Sequence, residues 1–438
     1  MCSIAGSTKR EDVETMLEVL KHRAPDDSGI VSDEKFSVGM GRLKIIDLKS
    51  DGLCPYTEDG LTLAFNGEIY NYKELKRQLE NSGWVFRTKS DTEVLLKAYR
   101  QWGIRCLDRL NGMFAFAIYD GQKIFLARDI AGEKPLYFRK TDFAFASEAK
   151  ALNWDCEELP PAHYALYDFK ELKIARYWEL KQREVRSDTA EEELEHLLAD
   201  SIRLRTQADV PYGLYLSGGI DSSLINTFHD FKHTFTYEDG DYQEQFNEQF
   251  PRILWHLDYP VQSFSPFGLW QLARMASDKV KVVLSGEGAD ELFGGYVRYV
   301  RTSLNAEARV MFPSYQGLFQ SEYKDVHEQG WAEFNGNMQE LLRMGDRMAS
   351  AFGIENRCPF LDKRIIEFAY SLPLELKIKG FETKRILRRI LERRNPQYKH
   401  IEKAGLFCDV NKWIGSQDGF GKKDYLDYQQ KIWQNFQS

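Results

Sequence analysis

The chain lacks what several function classes require. No two of its six cysteines, Cys2, Cys54, Cys106, Cys156, Cys358 and Cys408, stand at the C-x-x-C spacing of a zinc or redox motif. Scattered over 438 residues, they read as reduced thiols, and a cytoplasmic setting is expected. No apolar stretch near the start resembles a signal peptide. The longest apolar run, residues 113–119, is far too short to span a bilayer. Excess positive charge is missing too: 59 Lys and Arg stand against 67 Asp and Glu, a net charge of −8. Nothing therefore pulls the chain towards nucleic acid or an anionic membrane. Repeats and low-complexity tracts are absent. What is present, 43% hydrophobic and 29% charged residues with 13% aromatics, is the composition of a globular chain long enough for two or three domains.

Two textures divide the sequence. Alternating apolar patterns predict strands over residues 36–46, Leu61–Ile69, 113–119, 123–127 and 143–146. Helices are expected over Tyr72–Asn81, stopped by Gly83, and over Asp91–Trp102, where Ser90 and Glu93 fit a capping box. Polar residues 181–188 read as a linker, and Thr189 is expected to cap a helix over Ala190–Arg205. Strand–loop–helix units follow: 212–216 into 220–228, then 280–284 into 290–296. That alternation predicts a parallel sheet with helices on both faces. The final 130 or so residues read mainly as helix.

In the first half, loss of Met1 would make Cys2 the terminal residue, with the α-amino group beside its own thiol as base. Taken alone, a cysteine at position 2 is usually incidental. Asn66-Gly67-Glu68-Ile69-Tyr70-Asn71 closes a strand, where an Asn amide and a Gly N–H can form an oxyanion hole; the plainer alternative is an Asn-Gly turn. Arg42 could hold the carboxylate of free glutamine and Asp91 its ammonium. With Cys2–Gly6, His22–Asp27, Arg42–Leu48, Ser90–Glu93 and Arg128–Tyr137 in order, these segments resemble the class II glutamine amidotransferases, which are N-terminal-nucleophile hydrolases. The resemblance implies Cys2 as nucleophile and Asn66 with Gly67 as oxyanion hole. It also implies a glutamine site of Arg42, Leu43, Ile45, Ile46, Asn66, Gly67, Glu68 and Asp91. Ser3 and Ala24 depart from it, each adding a Cβ where the family has glycine.

In the second half, Leu216-Ser217-Gly218-Gly219-Ile220-Asp221-Ser222-Ser223 lies between a strand and a helix. Its glycines permit close approach to a phosphate, but it has no Walker lysine. It resembles the pyrophosphate loop of the ATP pyrophosphatases. Ser285-Gly286-Glu287-Gly288-Ala289-Asp290-Glu291-Leu292-Phe293-Gly294-Gly295-Tyr296 sets three carboxylates beside it, an oxygen-rich set suited to Mg²⁺. With Glu355–Asp362 and Lys384-Arg385-Ile386-Leu387-Arg388, this segment resembles the asparagine synthetases, and the match extends through nearly the whole chain.

That resemblance implies a glutaminase domain over 1–182 with an αββα fold. It implies a Rossmann-like parallel-sheet synthetase domain with added helices over 189–438. It further implies ATP contacts at Leu216, Ser217, Gly218, Gly219, Asp221, Ser222, Ser223, Thr236, Ser285 and Gly286, Mg²⁺ on Asp221 and Asp290, and catalytic roles for Glu287 and Lys384. Glutamine, ATP and aspartate would be the substrates, with an internal route for ammonia and a homodimer as the assembly. Only 61 residues separate Ser223 from Ser285, short for the family, and Thr236 stands where an apolar residue would back the adenine. Two alternatives stay open: another acceptor carboxylate (a sugar acid, a peptide or a modified nucleotide), or a degenerate member that binds without turnover.

Overall fold

The computed structural model describes residues 1–50, 53–238, 240–311, 322–398, 410–414 and 422–437; Cys408 lies outside them. Strands fill the first part: β1 (Ser3–Ser7), β2 (Asp27–Ser32), β3 (Ser37–Arg42), β4 (Tyr56–Glu58), β5 (Leu61–Ile69), β6 (Gly112–Tyr119), β7 (Ile124–Arg128), β8 (Tyr137–Arg139), β9 (Ala144–Ala146), β10 (Glu157–Glu158), β11 (His163–Tyr167) and β12 (Leu172–Arg176). They form two six-stranded sheets, ordered β10-β8-β9-β1-β3-β2 and β12-β11-β7-β6-β5-β4, with antiparallel pairing throughout. Both faces of β1 and β3 are buried, because the sheet is covered twice. Ile4, Val38 and Met40 meet Ala64, Ala115 and Leu126 of the facing sheet. Ala5 and Ala146 meet Val13 and Met16 of α1 (Arg10–Val19). The other sheet packs Phe65, Phe114 and Phe116 against α2 (Tyr72–Asn81) and α3 (Asp91–Trp102). The layers read helix, sheet, sheet, helix, as the fold class predicts.

After residues 177–189, which carry no regular element, come α4 (Ala190–Arg205), β13 (Tyr212–Tyr215), α5 (Ile220–Asn226), β14 (Thr234–Phe235), α6 (Gln243–Leu257), α7 (Pro266–Ser277), β15 (Val282–Leu284), α8 (Ala289–Phe293), α9 (Val297–Met311), α10 (Val326–Asn335), α11 (Asn337–Ser350), β16 (Glu355–Arg357), α12 (Lys363–Ser371), α13 (Leu374–Lys377) and α14 (Arg385–Arg394). The sheet β14-β13-β15-β16 is wholly parallel. The short helix α15 (Val410–Trp413) and the longer α16 (Lys422–Gln437) complete the described chain. No helix among the described residues is long and apolar enough to cross a membrane.

Three local expectations need correction. The predicted strand over 36–46 ends at Arg42, whose guanidinium donates to the carbonyls of Ile46 (3.0 Å) and Asp47 (2.9 Å) and so curls the chain that follows. Ser90 caps α3, accepting from Thr92 N–H, but Glu93 does not complete a capping box; it accepts from the N–H groups of Arg87 and Thr88 instead. Thr189 makes no side-chain cap on α4.

The two parts share a continuous apolar core running from Phe114 and Leu95 to Leu198, Leu214 and Phe360. A seam of fully buried charge also joins them. Arg23 Nη1 donates to Glu148 Oε1 (2.6 Å) and Asp346 Oδ2 (2.8 Å). Arg347 Nη2 donates to Asp258 Oδ2 (2.8 Å), and Lys150 Nζ donates to Asp258 Oδ1 (3.0 Å). Buried charges of this kind are tolerated only when paired and hydrogen-bonded.

Candidate active sites

The first site forms where β1, β3 and β5 converge. Cys2 leads into β1, and its N–H donates to Asn66 Oδ1 at 3.1 Å. Asn66 and Gly67 lie inside β5, paired with Ala115 and Phe114, so the Asn-Gly pair is not a hairpin turn. Gly67 has φ +147°, and a Cβ there would strike the carbonyl of Met113; only glycine fits. Asn66 Nδ2 is buried without a hydrogen-bond partner among the described residues, a donor left free for an incoming oxygen. Asp91 opens α3, accepts from Ile69 N–H (3.0 Å), and is pushed up to about 6 by burial. Glu68 is raised well above the usual carboxylate range by burial, even though Arg357 Nη2 lies 3.0 Å from its Oε1. Arg42 spends donors on the loop after β3, around which Leu43, Ile45 and Ile46 are buried.

Cys2 keeps partial exposure, and burial pushes its thiol up. Met1 is fully buried; its Sδ is 3.1 Å from Lys134 Nζ, and burial lowers its amine to about 6. The extra side chains of Ser3 and Ala24 share the space above Gly41. A Cβ at Gly41 would meet Ser3 Oγ at 2.6 Å and Ala24 Cβ at 2.7 Å, so the missing Cβ on β3 accommodates the added ones.

The second site is a cavity of about 500 Å³ at the C-terminal ends of β13 and β15, where parallel sheets bind ligands. Leu216, Ser217, Gly219, Asp221 and Ser222 line one side, and Ser285, Gly286, Glu287 and Asp290 the other. The two loops touch: a Cβ on Gly286 would sit 2.7 Å from Asp221 Cβ. Ser222 Oγ accepts from Ser217 N–H (3.1 Å) and tightens the first loop. Lys384 Nζ lies 2.8 and 2.7 Å from the oxygens of Asp221 and 2.6 Å from Asp290 Oδ1. Its backbone is left-handed, φ +51° and ψ +36°, at the start of α14. Burial pushes Glu287 up to about 7; Asn356 Nδ2 donates to its Oε2 at 3.3 Å, and Cys358 Sγ lies 3.5 Å away.

Asp221 and Asp290 converge on one cation, here the lysine ammonium. Their hard oxygens and open cavity side fit a magnesium ion sharing ligands with a polyphosphate. No group of three metal-ligating side chains occurs among the described residues, so phosphate and water would have to supply the remaining ligands.

Gly218 and Ser223 lie just behind the cavity wall: Ser223 N–H donates to Gly219 O, and Tyr398 Oη donates to Gly218 O. Thr236 does not line the cavity; its hydroxyl donates to Leu216 O (2.8 Å), while the neighbouring Phe235 and Tyr237 form the wall. The sequence places Arg357 in the recognised segment 355–362 but gives it no role; it reaches from β16 to Glu68. Sequence reasoning missed the apolar wall of Leu269, Leu272, Met338, Leu341 and Leu342 from α7 and α11. No local pattern reveals the partner of Arg357 or that wall, because both arise from contacts between distant segments.

Comparison with known proteins matches residues 1–175 to a glutamine amidotransferase domain family and residues 193–236 and 241–415 to an asparagine synthase family. Among curated relatives, glutamine-hydrolysing asparagine synthetase 1 of Bacillus subtilis is 28% identical, with 93% of this chain and 85% of the relative covered. A probable glutamine-hydrolysing asparagine synthetase of Schizosaccharomyces pombe is 31% identical, covering 90% and 80%. Among solved structures, glutamine phosphoribosylpyrophosphate amidotransferase from B. subtilis gives a TM-score of 0.36 at 18% identity, covering 71% of this chain and 78% of that one.

Proposed function

Because the chain belongs to the asparagine synthase family, with a glutamine amidotransferase part ahead of the synthetase part, we propose that it makes asparagine from aspartate, glutamine and ATP. Residues 1–182 hold the glutaminase and 189–438 the synthetase. After Met1 is removed, the α-amino group of Cys2 takes the thiol proton, and the sulfur attacks the glutamine side-chain amide. Asn66 Nδ2 and the Gly67 N–H receive the oxyanion. Asp91 and Glu68 hold the substrate ammonium and Arg42 its carboxylate. Ammonia leaves, and water releases glutamate from the thioester.

In the cavity, the loops around Gly218 and Gly286 hold ATP, with the adenine against Phe235 and Tyr237. The aspartate side-chain carboxylate attacks the α-phosphorus and pyrophosphate departs. Ammonia then attacks the acyl-adenylate and AMP leaves. Lys384 neutralises charge gathering on the phosphate, and Glu287 orients the acyl centre. Asp221 and Asp290 would hold Mg²⁺, which when bound supplies charge neutralisation of the triphosphate. A cytoplasmic homodimer completes the reading, and sedimentation tests the assembly.

The observation that carries the reading is the convergence of Lys384, Asp221 and Asp290 beside two glycine loops, in a chain whose Cys2 is already bonded to Asn66. Pyrophosphate release with aspartate, glutamine, ATP and Mg²⁺ tests it; none with aspartate sinks it. In Cys2→Ala, glutamine-driven synthesis should vanish while synthesis from added ammonium persists.

A second reading keeps the chemistry and changes the acceptor. Leu269, Leu272, Met338, Leu341 and Leu342 give the cavity a mainly apolar wall, which favours a carboxylic acid with a larger apolar remainder. Pyrophosphate release across a panel of acids, with the product identified by mass, separates the two.

A further inference from the structure

Arg357, on β16, is fully buried. Its guanidinium carries five N–H groups in a rigid fork, and most of them hold it still. Nε donates to Glu355 Oε1 (2.8 Å), and Nη1 donates to the carbonyls of Arg205 (2.9 Å) and Gln207 (2.8 Å). Gln207 Nε2 donates in turn to Tyr70 O (3.2 Å), just beyond the end of β5. The end of α4, β16 and the chain after β5 are thereby tied into one frame. What remains is Nη2. It is buried, has no hydrogen-bond partner among the described residues, and stands 3.0 Å from Glu68 Oε1 as an ion pair. A buried donor without an aligned acceptor is uncommon in a folded chain, and this one faces a carboxylate of the glutamine site.

Glu68 and Asp91 belong to one recess: Asp91 Oδ2 accepts from the N–H of Ile69, the residue after Glu68, at 3.0 Å. Burial pushes both carboxyls up, and at Glu68 the Arg357 guanidinium works against that rise. Two buried acids beside an arginine that also serves Glu355 are short of positive charge. An ammonium placed between the acids supplies it. Without Arg357, burial would act on Glu68 unopposed, and the carboxyl would take up a proton rather than accept an ammonium.

The flanking side chains of the strand turn to the other site, as alternation requires. Asn356 Nδ2 donates to Glu287 Oε2 (3.3 Å), and Cys358 Sγ lies 3.5 Å from the same oxygen. Arg357 O accepts from Ser285 N–H (3.1 Å) at the head of the second glycine loop. A strand that shapes the ATP cavity therefore delivers one side chain to the glutamine site. Resting on the function proposed above, we propose that Arg357 is a positioning residue for glutamine: it fixes the Glu68 carboxylate for the α-ammonium of the substrate, so that the synthetase part completes the glutamine site.

The test compares glutamine with glutaramate, which is glutamine without its α-amino group. Ammonia release from each is measured on full-length protein without ATP, and the kcat/KM for glutamine is divided by that for glutaramate. The quotient does not depend on how much enzyme folds. Arg357→Gln keeps donors for the carbonyls of Arg205 and Gln207 and removes the charge. It should raise the KM for glutamine about tenfold or more with a smaller change in kcat, leave glutaramate within about twofold, and so lower the quotient. Arg357→Lys, which keeps a charge, should restore part of the quotient. An unchanged quotient in Arg357→Gln overturns the proposal, whether both substrates are spared or both decline together, the second being the mark of a merely structural role. An Arg357→Lys quotient no higher than that of Arg357→Gln overturns it as well. Should the loss of one charge leave too little folded protein, Arg357→Gln combined with Glu355→Gln removes one charge of each sign and is read in the same way. If the natural chain releases no ammonia from glutamine, the parent reading fails first; if it does and the quotient holds, this proposal alone fails.

Discussion

Lys384 adopts a left-handed backbone that costs a non-glycine residue about 1–2 kcal/mol. Its ammonium is held between Asp221 and Asp290, which accounts for a strained residue opening a helix of otherwise ordinary sequence. Replacing it with methionine should cut ATP–pyrophosphate exchange by about a hundredfold or more, with glutamate release as the control measurement. Gly295 offers a subtler probe. A Cβ there would strike both Asp290 Oδ1 and Lys384 Cε, so Gly295→Ala should impair the same exchange without altering any charge. If Gly295→Ala exchanges normally, the carboxylate–lysine cluster is not what the synthetase half depends on. At Gly41, where Ser3 and Ala24 already fill the space, an added methyl overpacks the sheet and should cost about 1–3 kcal/mol of stability, measured by urea unfolding.

Among the elements, caps divide by geometry rather than by residue type. Ser90 accepts from Thr92 N–H at the start of α3, whereas Thr189 at the start of α4 accepts nothing. Ser90→Ala should therefore cost about 1 kcal/mol and Thr189→Ala should fall within about 0.5 kcal/mol of neutral, read as shifts in urea midpoint. Equal costs would mean that capping does not set these helix starts. The sequence made Leu61–Ile69, Tyr72–Asn81, Asp91–Trp102 and Ala190–Arg205 readable to the residue, because each has a clean period of its own. It did not reveal β1, whose Ser-Ile-Ala-Gly-Ser lacks any alternation; that strand exists because β3 and β9 flank it. The glycine loops around Gly218 and Gly286 were legible for the same local reason as the helices. The pairing of Arg357 with Glu68, the contact of Cys358 with Glu287 and the apolar wall from α7 and α11 were not, since each joins residues far apart in the chain.

Over the whole molecule, the buried carboxyls respond to pH in two sets with opposite signs. Burial raises Asp91 to about 6, Glu287 and Glu291 to about 7, and Glu133 to about 8. The folded state keeps these protons after the unfolded chain has lost them, so stability falls as pH rises from about 4 to about 8. Glu148 and Asp346 are held low, against the cost of burial, by Arg347, Arg23 and neighbouring lysines. Their contribution is complete above about pH 4 and is lost as pH falls below it. Burial also holds His22, His256 and His327 below the usual imidazole range, and these add stability as pH rises to about 6.5, so the contribution of one carboxyl is read from a difference between proteins. In thermal unfolding without ligands, Glu287→Gln should gain in midpoint relative to the natural chain as pH rises from 5 to 8; a difference that stays constant over that range would contradict the assignment. The seam of Arg23, Glu148, Lys150, Asp258, Asp346 and Arg347 also bears on recombination. A hybrid that joins the front of one relative to the back of another must carry these six partners as a matched set, so a crossover at the linker near residue 185 inherits mismatched halves of a lock. Exchange is safest where the crossover leaves both sides of that lock from a single parent.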